Sequence, residues 1–139
     1  MKTKYRMSEE KLVNLVSQRL SEDGFAVQHE VPSMGKSIDI VAQKAGKIWA
    51  VEAKIGNWRR AVGQCRAHEC VADYICVAVD KLPLQSKIIE ELSLLGYGLL
   101  TLDCDQRLRW VLMPKENDLV WGPQKEKLEA NMEGIGYAY

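Results

Sequence analysis

The chain has 139 residues, 47% of them hydrophobic and 27% charged, with 19 basic residues balancing 19 acidic ones. That length suits one folding unit with a sizeable core, and the composition excludes a disordered or collagen-like chain. Its apolar runs are too short for a membrane span, its first six residues lack a secretory apolar stretch, and zero net charge excludes a wholesale basic coat for nucleic acid. A cytoplasmic location is the expectation, and any contact with phosphates must come from a local concentration of charge.

Ser8 is a credible cap for a first helix, with Glu9 and Glu10 in the first turn, where they complement the helix dipole. Leu12, Val13, Leu15, Val16 and Leu20 give it an apolar stripe, and Gly24 lies just past its end. Residues 25–31 read as a strand that contains His29, and Pro32, Ser33 and Gly35 form a turn. Residues 37–43 and 47–55 then form a hairpin closed at Ala45-Gly46, ended by Gly56-Asn57. A helix from about Trp58 to Val71 places Gln64 and His68 one turn apart on one face.

The continuous apolar run of residues 75–79 fits a strand covered on both sides, and so a central place in the sheet. Pro83 opens a helix that runs to Leu95 and stops at Gly96 and Gly98. Residues 99–103 and 108–113 read as two further strands joined by a polar turn. Beyond Pro114 the pattern weakens to a short helical stretch near residues 125–132. Residues 1–115 are expected to form the core domain, and 116–139 an extension packed on it or on a partner subunit. Cys65, Cys70, Cys76 and Cys104 form no C-x-x-C pair and read as reduced thiols.

Chemistry concentrates in the hairpin. Side chains alternate faces along a strand, so Glu52 and Lys54 share one face while Val51, Ala53 and Ile55 take the other. With Lys44 opposite Lys47, counting back from the turn sets Asp39 directly across from Glu52. Like charges opposite one another are destabilising, and a partly buried carboxylate pair calls for a shared proton or a cation. Oxygen-only donors suit Mg²⁺, with Mn²⁺ as a substitute, and a neighbouring ammonium can hold a phosphate or an attacking water. Arg59 and Arg60 follow the hairpin closely, between Lys54 and Arg66, while Lys2, Lys4 and Arg6 make a basic start. Either group could touch phosphates or be ordinary surface charge.

Asp39 followed by Glu52-Ala53-Lys54, on a hairpin between two helices, resembles the PD-(D/E)XK (restriction endonuclease-like) nuclease superfamily over roughly residues 8–80. Ile38 stands where the motif's name has proline, and Gln64 is followed by His68 where a tyrosine is frequent. The resemblance implies an α/β fold with an αβββαβ core, a mixed central sheet flanked by helices, and here extra C-terminal strands. It implies an endonuclease that hydrolyses DNA with divalent metal, acting as a homodimer without an organic cofactor or membrane. Asp39, Glu52 and the Ala53 carbonyl would hold the ion, and Lys54 would act on water and phosphate. Gln64 would orient Lys54 or a water, and Glu9, or else Glu10, would stand near the metal. A module that binds nucleic acid or protein without catalysis is the alternative, because fold does not guarantee activity.

Overall fold

The computed structural model describes residues 7–80 and 87–136, with side chains described through Met132. In chain order the elements are α1 (Glu9–Glu22), β1 (Ala26–Ser33), β2 (Lys36–Lys44), β3 (Lys47–Lys54), α2 (Trp58–Arg66), β4 (Tyr74–Val79), α3 (Lys87–Leu95), β5 (Gly98–Leu102), β6 (Leu108–Leu112) and α4 (Gly122–Gly136). The expected αβββαβ order is present, followed by the extra strands. Six strands form one mixed sheet in the order β1-β2-β3-β4-β5-β6. β3 to β5 run parallel, and the outer pairings are antiparallel.

Ser8 caps α1 by accepting the Lys11 N–H at 3.1 Å. The helix then buries Leu12, Val16 and Leu20 against Ile40, Ala42, Val51, Ala53, Cys76, Ala78 and Leu100 on one face of the sheet. Burying each of those leucines stabilises the fold by about 1.5–3 kcal/mol. On this face Trp49 stacks at 4.3 Å on Tyr74 and meets Phe25 edge-on at 5.3 Å. The opposite face is covered by α2, α3 and α4 through Trp58, Ala61, Val62, Ile88, Leu92, Leu128 and Met132. The chain is therefore a three-layer α/β sandwich.

β4, hydrogen-bonded to β3 and β5, is buried along almost its whole length, as its unbroken apolar run requires. The turn expected at Pro32 comes later, at Met34-Gly35, and β1 includes Pro32. Because β1 is an edge strand, the missing N–H costs no ladder bond. The helix expected to reach Val71 ends at Arg66, and residues 67–71 continue as turns. α4 is longer than the periodicity implied, and Leu128 and Met132 lie in the same core as α2 and α3. Pro83 at the expected start of α3, the basic residues Lys2, Lys4 and Arg6, and the final three residues lie outside the described residues. Among the described residues no helix is long and apolar enough to cross a membrane.

Candidate functional site

The hairpin closes on Ala45 (φ 54°) and Gly46 (φ 77°), and Lys44 faces Lys47 as counted. Paired residues continue as far as Ile40 and Val51. Asp39 and Glu52 are the next two in register, and there side chains take over from the backbone ladder. The Asp39 N–H donates to Glu52 Oε2 at 3.2 Å, and the Ala53 N–H donates to Asp39 Oδ2 at 3.0 Å. In a continuing register Ala53 would face Ile38. The Asp39 carboxylate has taken the place of a backbone acceptor, and the interrupted rung leaves the two acids facing each other.

The strand on the other side of Asp39 deviates at the same level. His29 pairs with Ile40 and Val31 with Ile38, which sets Glu30 across from Asp39 in register. Glu30 has φ 49°, a left-handed conformation that costs an ordinary side chain on the order of 1–2 kcal/mol. The alternation of β2 is also disturbed: Ile38 lies in the core under α2, while Ile40, two residues on, lies in the core under α1. Both flanks of Asp39 are thus pulled out of regular pairing. A cleft of about 350 Å³ opens beside it, lined by Glu9, Glu10, Val13, Asn14, His29, Glu30 and Asp39.

Burial pushes the Asp39 carboxyl up from 3.8 to about 6; the Ala53 N–H opposes that shift, and the Glu52 charge adds to it. The Asp39 and Glu52 carboxyls are close enough to share a hydrogen bond, and Lys54 is near enough to favour the ionised form of Asp39. Glu52 is only 1% exposed, and its Oε2 lies 2.8 Å from Nε2 of His68, itself 2% exposed. The Lys54 ammonium lies 3.5 Å from Glu9 Oε1, and the other oxygen of Glu9 accepts the Ile55 N–H at 3.4 Å. Glu9 therefore ties the first turn of α1 to the end of β3.

Asp39, Glu52, Ala53, Lys54 and Glu9 are brought together. Glu10 lines the cleft beside Glu9 but makes no contact with Lys54 comparable to that of Glu9. Gln64 is exposed on α2. Arg59 and Arg60 are exposed in the first turn of α2, and Arg59 lies 4.4 Å over the Trp58 ring and 3.3 Å from Glu91. Sequence reasoning missed Glu30 and the inward turn of His68. Counting back from the Met34-Gly35 turn would have set Glu30 against Asp39; only the early end of α2 explains His68. Cys65 donates to the Cys76 carbonyl and Cys70 to Met34 Sδ, and burial, with the Glu52 charge nearby, pushes the Cys65 thiol well up.

The donors at the site are hard oxygens. Among the described residues no group of three or more His, Cys, Asp or Glu is arranged to hold a metal ion. Mg²⁺ does not require one, since one or two carboxylates with waters and substrate oxygens complete its shell. Asp39 and Glu52 bring two carboxyls together, and the Glu52 charge, after burial, helps raise Asp39, so this donor pair fits a hard divalent cation.

Neither a protein-family model nor a curated protein matches the chain. Among solved structures it is similar to SPO1766, a protein of unknown function from Silicibacter pomeroyi, with 22% identity and a TM-score of 0.73 over 95% of this chain and 88% of that one. AF1548, also of unknown function, is similar at 19% identity and TM-score 0.52, over 64% of this chain and 55% of the other. A XisH family protein from Nostoc punctiforme overlaps at 18% identity and TM-score 0.48, over 71% of this chain and 97% of its own. These likenesses concern the fold.

Proposed function

We propose that the protein is a metal-dependent endonuclease that hydrolyses DNA phosphodiester bonds in the manner of the PD-(D/E)XK superfamily. The observation that carries this reading is the broken rung at which Asp39 and Glu52 face each other beside Lys54. Asp39, Glu52 and the Ala53 carbonyl would hold Mg²⁺, or Mn²⁺ in its place. When bound, the ion supplies Lewis-acid stabilisation of charge on the scissile phosphate and makes water a stronger nucleophile.

The protein's own groups do the rest. Lys54, 17% exposed and braced by Glu9, directs its ammonium to the attacking water or to a non-bridging phosphate oxygen. Glu9 holds that ammonium in place through a contact that weakens when phosphate draws Lys54 away. Exposed Gln64 offers an amide to water or substrate, and exposed Arg59 and Arg60 offer guanidinium groups to the DNA backbone. Arg59 is partly pre-positioned by its stacking on Trp58. Two copies would cut both strands of a duplex, and a homodimer is part of the proposal.

The near-complete burial of Glu52 against His68 favours a second reading, a catalytically silent module on the same fold. Both readings are tested by incubating the protein with linear, circular, single-stranded and branched DNA, with RNA as a further arm, in Mg²⁺ or Mn²⁺. Cutting of circular DNA is expected, and Lys54→Ala should slow it by at least about a hundredfold while the protein stays folded. Undiminished cutting by that variant removes the role given to Lys54; no cutting together with no Mn²⁺ binding by calorimetry leaves the silent module.

A further inference from the structure

His68 takes no part in the mechanism above, yet it is the buried neighbour of a proposed metal ligand. Its backbone is fixed on both sides: the His68 N–H donates to Cys65 O at 2.9 Å, and the His68 carbonyl accepts from Val71 and Ala72, each at 3.1 Å. The turn that follows α2 therefore aims the imidazole at β3 rather than leaving it on the exposed side with Gln64. Nε2 then lies 2.8 Å from Glu52 Oε2, and the Asp39 N–H addresses that same oxygen at 3.2 Å.

We infer that His68 is a positioning residue for the cation site: its Nε2–H, together with the Asp39 N–H, pins Oε2 of Glu52 and leaves Oε1 as the oxygen offered to the ion. The inference rests on the metal reading proposed above. Its physical basis is that a carboxylate held by one oxygen keeps a single orientation, so binding an ion no longer costs the freedom of the side chain. A group that orients a metal ligand in this way is typically worth about 10–100-fold in metal affinity. The pair is too deeply buried for water to replace the lost donor, so the effect should not be masked by solvent.

Calorimetric titration of the intact chain with Mn²⁺, with thermal melting in parallel, tests the role. His68→Leu should weaken binding by about 10–100-fold, and His68→Gln, whose amide N–H reaches a similar distance, should recover most of it. Asp39→Ala should abolish binding altogether. Unchanged affinity in His68→Leu, alongside loss in Asp39→Ala, overturns the inference and spares the metal site. Absence of Mn²⁺ binding in the unaltered protein overturns both. Two-bond ¹H–¹⁵N spectra of the unaltered protein give a readout that does not depend on how the variants fold. The ring proton should sit on Nε2 with and without Mg²⁺, and a proton on Nδ1 alone sinks the assignment.

Discussion

At its closed end the β2–β3 hairpin pairs every residue from Lys44 and Lys47 to Ile40 and Val51, and it turns on two left-handed residues. At its open end Asp39 and Glu52 stand where the next pair belongs, carboxylates accept backbone N–H groups, and the facing strand contorts at Glu30. The difference lies in what each end is surrounded by. Ile48, Ala50 and Val41 near the closed end sit in a core with α2 and α4, while Asp39 borders an acidic cleft. One strand pair thus serves as scaffold at one end and holds charge repulsion at the other, and the first makes the second tolerable.

Truncating the scaffold end should have the largest effect. Ile48 is fully buried, so Ile48→Ala should cost about 2–5 kcal/mol in urea unfolding, while the folded fraction keeps its Mn²⁺ affinity. An Ile48→Ala protein that loses cation binding without losing stability would break the division between the two ends.

The open end should respond to pH. Asp39 is raised to about 6 from 3.8, so its protonated form is the one the metal-free fold favours. That contribution is fully present below about pH 4 and is lost as pH rises through about 6. In cation-free buffer Asp39→Asn should therefore melt higher than the unaltered protein at neutral pH, with the gap closing below about pH 4. Protons and cations compete for the same oxygens, so Mn²⁺ affinity should fall by up to about tenfold per pH unit below about pH 6. An affinity that is flat between pH 5 and 7 would show that Asp39 does not hold the ion.

The smallest change is expected at the turn. Ala45 has φ 54°, which an L-alanine adopts at a cost and which asparagine or glycine tolerates well. Ala45→Asn should stabilise the fold by roughly 0.5–1 kcal/mol, with cleavage and cation binding unaltered. Any change in cation affinity would mean that the two ends are mechanically linked.

Much of this hairpin was legible in advance because two local rules fixed it. A two-residue turn sets register, and a period of two sets faces, so the opposition of Asp39 and Glu52 followed from counting. The buried run of β4 and the cap at Ser8 were legible for equally local reasons. The site's surroundings were not. Glu30 enters because β1 extends past Pro32, which edge position allows and which proline in isolation argues against. His68 turns inward because α2 stops at Arg66, although helical spacing alone pairs it with Gln64 on one face. α4 has little apolar periodicity, and its place was decided by Leu128 and Met132 finding the core under α2.

The sequence by itself determined which acids oppose each other and which lysine lies beside them, because turn length sets register over a few residues. Only the tertiary structure decided that the rung between those acids would break, that Glu30 would face them from β1, and that a histidine from another element would grip Glu52. Those outcomes depend on what packs above and below the sheet, and burial is a property of the assembled layers that no local pattern encodes.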